Sequence, residues 1–408
     1  MARHGRPALA LLQLTLAFAP CAGAQEGNAE RLVSFSGFGT AGLAHSNTGG
    51  AEFARDILQP QGVVHGWSAN VDSRLGLQVN MRATPEIEGV VQVVSSYTYA
   101  NNYDPELTWA FVSYAPNPEL KLRVGRLGWD VYMLSDSRYV GYSYLWVRPP
   151  VDYFGQLQIV HLDGADALFK RELGDGILSF KLYGGQAAQK IPSPPYGEYE
   201  VSGPVGGGYV DYQNGDWQLR VGYTAVRVAN ESPSLAPLSA ALRATGIPAA
   251  EAIAADLSLA GKTLQMVSAG IVYDQGPWQA QLMFNRVYSD TLAFAPKESG
   301  YFLLGYRSGL WTPFVTVAGI QSHVSQRATG VPTPNPLDSA VAAALAASAS
   351  TQRTVSVGVR YDFMPNLDLK LQLDQVRVFD NAALLWRNPQ PGWNGRATIF
   401  SIALDFVF

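Results

Sequence analysis

The stretch WDVYMLSDSRYVGYSYLWVRPPVDYFGQ, from Trp129 to Gln156, concentrates the residues best able to act on a solute. Asp130, Asp136 and Asp152 are acids, Arg138 and Arg148 are bases, and they stand among Tyr132, Met133, Tyr139, Tyr142, Tyr144, Leu145 and Trp146. Carboxylates and guanidiniums facing one another over a narrow gap do no covalent chemistry. They set a field across the gap, and charged constrictions of this kind select among ions. So much apolar and aromatic area argues against full solvation, because it seeks a partner. A solvated surface loop with local ion pairs is the plainer alternative.

Patterns that would signal covalent or metal chemistry fail in turn. GFGTAG at Gly37–Gly42 has the G-x-G-x-x-G spacing, but it lies inside an alternating segment and not between a strand and a helix. Its glycines suit a curved strand better. His4, His45, His65, His161 and His323 make no H-E-x-x-H or close pair, so no zinc site is expected. DGAD at Asp163–Asp166 lacks the ligand count of a calcium loop. G-x-S-x-G does not occur, although a triad assembled across distant strands stays open. The expectation is a non-enzyme that uses no cofactor.

The elements that position the Trp129–Gln156 stretch read at period two, the signature of half-buried strands. In SANVDSRLGLQVNMR (Ser68–Arg82), Asn70, Asp72, Arg74, Gly76, Gln78, Asn80 and Arg82 share one face, and Ala69, Val71, Ser73, Leu75, Leu77, Val79 and Met81 the other. Charge and amide over seven positions fit a wet lumen better than a soluble sheet. Sixteen strands are expected, at Leu32–Ala44, Ser68–Arg82, Ile87–Tyr99, Glu106–Ala115, Leu120–Trp129, Ala165–Leu173, Ile177–Gly185 and Gly207–Gln213, then Trp217–Val228, Leu264–Tyr273, Trp278–Ser289, Ser299–Arg307, Thr312–Gln321, Arg353–Met364, Leu367–Val378 and Ala397–Phe408. Gly207–Gln213 is the weakest of them. ATPE, PNPE, GDG, NGD, DQGP, SGL and PN carry turn chemistry at alternate connections, while most of the others are long. Two long connections, 229–262 and 322–352, hold alanine-rich runs expected to form short surface helices.

Composition agrees. The net charge is −4, and losing Arg3 and Arg6 would make it two units more negative, so no basic footprint for nucleic acid exists. Tyr (20), Phe (17) and Trp (9) are abundant while charged residues are only 15%, and no stretch after residue 24 reads as a membrane helix. MARHGRP, the apolar run Ala8–Ala19 and Ala22-Gly23-Ala24 read as a signal peptide over 1–24, leaving a barrel over 25–408. Pro20 before Cys21 disfavours a lipid anchor, and removal of 1–24 takes away the only cysteine. Tyr97, Tyr99, Trp109, Tyr114, Trp217, Trp278, Tyr288, Trp311 and Tyr361 fall near strand ends, where interfacial girdles belong.

The chain closes on ATIFSIALDFVF, with Phe400, Ile402, Leu404, Phe406 and Phe408 on one face. Here it resembles the Gram-negative outer-membrane porins, whose last strand alternates in this way, ends in phenylalanine and is recognised by the barrel assembly machinery. The resemblance implies an all-β fold, a transmembrane antiparallel barrel of sixteen strands in outer-membrane lipid. Its third long loop would fold inward, and 129–156 occupies that place. Asp130, Asp136, Arg138, Arg148 and Asp152 would then form the constriction, facing the lumen-phase wall residues Arg74, Arg82, Lys121, Arg123, Arg220, Arg360 and Lys370. The implied function is passive diffusion of small hydrophilic solutes or ions through a homotrimer whose contacts lie near the first and last strands. There Gly37, Gly39 and Ala41 face outward and are small enough for close packing. A plugged structural or adhesive barrel, and an outer-membrane barrel enzyme, are the competing readings. The acidic PEFGGD-like loop motif of general porins is replaced by WVRPPVDY (Trp146–Tyr153), so their cation preference does not carry over.

Overall fold

The computed structural model describes residues 32–156, 159–193 and 197–408; the expected signal peptide lies outside the described residues. Sixteen long strands run antiparallel, each beside its sequence neighbour. They are β1 (Val33–Ser46), β2 (Arg74–Arg82), β3 (Ile87–Ser96), β4 (Glu106–Asn117), β5 (Leu120–Gly128), β6 (His161–Leu173), β7 (Gly176–Pro192) and β8 (Glu198–Asn214). The second half comprises β9 (Trp217–Arg227), β10 (Thr263–Gln275), β11 (Trp278–Ser289), β12 (Lys297–Tyr306), β13 (Trp311–Ser322), β14 (Ser350–Met364), β15 (Leu367–Ala383) and β16 (Arg396–Val407). β1 pairs with β2 on one side and β16 on the other, so the sheet closes on itself and has no free edge.

The alternation sets the faces as expected. On β2, Leu75, Leu77 and Met81 are exposed outward while Arg74, Gly76 and Gln78 are buried inward. Several strand bounds shift, among them the end of β7, which runs to Pro192 and not Gly185. β2 starts at Arg74, six residues late, because 69–73 forms turns and Gly66–Ser68 pairs separately with the end of β1. The weakest expectation, Gly207–Gln213, sits within a 17-residue strand paired along its length with β7. Gly206, Gly207 and Gly208 have no side chains to alternate, so the sequence understates a strand that backbone pairing holds.

Short turns gather at one end. Asn366 takes the left-handed conformation (φ 67°) in the two-residue turn before β15, a geometry asparagine tolerates. Exposed rings ring the short-turn end, where Trp217 packs on Tyr273, Trp278 on Tyr306 and Trp311 on Tyr361. Tyr97 does not belong to a girdle; it is buried in a loop, with its hydroxyl bonded to Asn101.

Long loops occupy the other end. Helices α2 (Ala236–Arg243), α3 (Pro248–Asp256) and α4 (Leu337–Ala347) lie in the alanine-rich loops, and Leu242, Ile253, Leu257, Val341 and Leu345 join them in a small core of their own. The first and last long loops meet through a two-residue ladder, Glu52–Phe53 with Trp386–Arg387.

At the seam, Phe406 faces Gly39 and Leu404 faces Ala41. The rings of Phe406 and Phe408 lie against the Cα positions of Gly39 and Gly37. The small outward residues of β1 are therefore covered at these two positions by the chain's own C-terminus, which leaves less of the bare surface expected for a neighbouring subunit.

Candidate functional site

The loop between β5 and β6 runs through the inside of the barrel. It contains a short helix, α1 (Val151–Phe154). Trp129, Val131, Tyr132, Met133, Tyr144, Trp146 and Tyr153 form a core with inward residues of the wall, among them Tyr183, Met283, Tyr301, Leu303 and Phe314. Trp146 is 1% exposed and Tyr153 0%. The apolar area that sought a partner in the sequence has found the barrel's inner face.

Polar contacts tie this loop to one side of the wall. The Val131 carbonyl accepts from Ser268 of β10 (3.2 Å), and Gln156 donates to Ser299 of β12 (2.9 Å). Trp146 Nε1 donates to Thr316 of β13 (2.8 Å), and the Val147 amide to Gln372 of β15 (2.9 Å). Arg360 of β14 donates to the Tyr144 carbonyl (3.1 Å), and Lys370 of β15 to that of Gly141 (2.7 Å). Against β3–β6, by contrast, no hydrogen bond or ion pair from 129–156 occurs among the described residues. Val140 meets Val94 and Phe38 by packing alone.

The five loop charges divide between two environments. Asp130 lies between Lys181 of β7 (3.0 Å) and Arg220 of β9 (3.1 Å). Burial alone would raise its carboxyl, but the two cations outweigh that and hold it well below the usual carboxylate range. Arg148 is 1% exposed and reaches Asp72 (2.5 Å), Asp374 of β15 (3.2 Å) and Ser401 of β16 (2.7 Å), with Phe53 under its guanidinium. Asp152, fully buried, accepts from Thr354 of β14 (2.7 Å), and its other oxygen has no partner among the described residues. Burial pushes its carboxyl up to about 6, against the Thr354 hydrogen bond. Asp136 and Arg138 stand apart from these three. Asp136 is exposed, beside Asp130 and in electrostatic range of the same Arg220 and Lys181 without pairing to them, and Arg138 is half-buried, donating to the carbonyls of Ser135 and Trp129.

Of the wall bases, Arg123 forks onto Asp166 and Arg220 bridges Asp130 and Asp211 over the Tyr209 ring. Arg360 pairs with Asp362 and Asp368, and Lys370 with Asp405 (2.8 Å). Lys121 is half-buried, Arg82 exposed and Arg74 buried. The acids Asp211, Asp362, Asp368, Asp374 and Asp405 were not singled out in the sequence, and Asp166 was weighed only within the DGAD stretch as a calcium loop. Spacing was the available signal for some: Asp362 follows Arg360 by two, and Asp368 and Asp374 share the parity of Lys370, hence its face. The result is a lumen of matched charges around a densely packed loop.

No family model matches the chain and no curated protein is similar to it. Solved structures are. The outer-membrane expressed OmpT of Vibrio cholerae aligns at 10% identity over 93% of this chain and 99% of its own, with a TM-score of 0.52. The anion-selective porin from Comamonas acidovorans aligns at 12% identity over 92% and 99%, with a TM-score of 0.51. Salmonella typhi OmpF, solved in complex with daunomycin, aligns at 10% identity over 92% and 97%, with a TM-score of 0.51. Such identities speak to architecture alone. The closed sixteen-stranded antiparallel barrel of this chain is an outer-membrane porin-like fold.

Proposed function

We propose that the protein is a narrow diffusion channel of the outer membrane, passing small hydrophilic solutes or ions along the seam between its third long loop and the β3–β6 wall. One observation carries this reading: the loop is tied by hydrogen bonds and ion pairs to β7–β16 and meets β3–β6 without any among the described residues. The side chain left exposed on the loop, Asp136, lies in electrostatic range of Lys181 and Arg220, so a permeating ion meets both signs of charge there. Diffusion through such a gap needs no covalent chemistry. A homotrimer fits this reading, since one of the V. cholerae OmpT structures is described as a trimer form.

A second reading, a barrel plugged by its own loop, is favoured by the dense ion pairing and by the complete burial of Trp146, Arg148, Asp152 and Tyr153. Conductance separates the two. Refolded protein in a planar bilayer under a salt gradient should show small stepwise openings whose reversal potential moves when Asp136 is replaced by Asn. A folded barrel that never opens would establish the plug and refute the channel.

A further inference from the structure

Arg74 sits on β2 opposite Thr40 of β1 and Ser96 of β3, with its side chain inside the barrel. It is only 6% exposed, and its Nε and Nη2 are buried without a partner. Among the described residues it makes no hydrogen bond and no ion pair. The neighbouring lumen arginines are all answered: Arg55 by Asp72, Arg123 by Asp166, Arg148 by Asp72 and Asp374, Arg220 by Asp130 and Asp211, Arg360 by Asp362 and Asp368. A guanidinium cannot relieve its burial by losing a proton, because it stays charged at any physiological pH. An unanswered buried cation is costly and calls for an anion.

Space for one lies alongside. Arg74 borders a cavity of about 70 Å³ between β2, the first long loop and the third, with Arg55, Arg138, Tyr139, Ser96 and Thr98 among its other walls. At roughly 10–15 Å³ for each water-sized occupant, it takes a group of about five heavy atoms. Arg138 is fixed there by its two carbonyl contacts. Two carboxylates also border the space, and a third, Asp405, lies in electrostatic range of Arg74 but is already held by Lys370 and Thr40. Asp72 is already divided between Arg55 and Arg148, and Asp56 accepts the Leu58 amide at 2.9 Å. Three arginines against these two acids, one of them shared with Arg148, leave a positive surplus.

We propose that this cleft binds one small oxyanion, an organic carboxylate or inorganic phosphate, with the Arg74 guanidinium as its principal partner and Arg138, Ser96 and Thr98 around it. Planar guanidinium donors match the oxygens of either group. The inference concerns occupancy and not permeation, so it stands or falls apart from the channel reading.

The test is calorimetric titration of the full-length barrel, refolded in detergent at constant ionic strength, with sodium phosphate and separately with sodium acetate, both small enough for the cleft. Saturable binding at one site per chain is expected for at least one of them, weakened roughly tenfold or more by Arg74→Gln and left unchanged by Arg377→Gln at an exposed position. Which salt binds names the source. The melting temperature of the parent protein should rise with that anion, and that of the Arg74→Gln variant should not. If that variant does not refold, Arg138→Gln should weaken binding in the same assays. Absence of binding for both salts, or binding that survives the substitutions, would overturn the proposal.

Discussion

Replacing Arg148 by Met tests whether the third loop is held by its buried charge network. The side chain is 1% exposed, and its partners Asp72 and Asp374 are 0% and 5% exposed at the side chain. Met keeps much of the volume but leaves Asp374 without a cation and Ser401 without its donor. Breaking a buried pair by removing one partner costs about 3–5 kcal/mol. Asp72 keeps Arg55 at 2.9 Å, which places the loss at the lower end. About 3 kcal/mol corresponds to a shift of roughly 150-fold between docked and released loop. Hydrogen–deuterium exchange of the 140–152 amides in the refolded variant should accelerate accordingly, while strand amides of β7–β12 stay protected. Unitary conductance should rise alongside. Adding Asp374→Asn removes the orphaned charge and should recover part of the protection, the coupling expected of residues in contact. Unchanged exchange in Arg148→Met would refute the argument, since the loop would then be held by its aromatic packing alone.

Two further expectations concern the loop and the seam. Asp152 binds its proton more tightly when docked, with a carboxyl pushed up to about 6 from the usual 3.8, so docking is favoured at low pH and that contribution is lost as pH rises through about 6. Protection of the 148–156 amides, taken relative to the intrinsic exchange rate at each pH, should therefore fall between about pH 4 and 6 and level off above; Asp152→Asn should flatten the profile, and a profile unaffected by that change would argue against the assignment. At the seam, Phe406→Ala strips the ring from Gly39 and should lower thermal stability by less than the roughly 3–5 kcal/mol of a core phenylalanine, because the ring is half-buried. The heat-dependent gel shift of the folded barrel reads this directly, and an unaltered transition would mean that the ring contributes nothing there.

Barrel architecture was legible in the chain because its cause is local. Period-two alternation assigns each strand residue to lipid or lumen without reference to any other strand, and turn residues punctuate the strands. Leu75 and Leu77 outward with Arg74 and Gln78 inward, and Phe406 and Phe408 together on one face of the C-terminal segment, follow from spacing along one strand. Where local signals fade, as at Gly206–Gly208, the sequence understated the strand and pairing with β7 supplied what side chains did not.

The loop shows the opposite case. Its charges and aromatics were evident from composition, and so was its place after β5. Which charge meets which depended on barrel closure. Arg148 lies 76 residues from Asp72 and 226 from Asp374, and only the curvature of the wall brings all three together. The same holds for Asp130 between Lys181 and Arg220, and for Arg74, which stands on a face the sequence assigned correctly yet finds no partner among the described residues. By itself the sequence determined which side of the wall each residue occupies. Tertiary structure alone decided which lumen charges are neutralised and that Arg74 is left without an ion pair among the described residues, because a Coulomb partner is defined by distance in space and not by position along a strand.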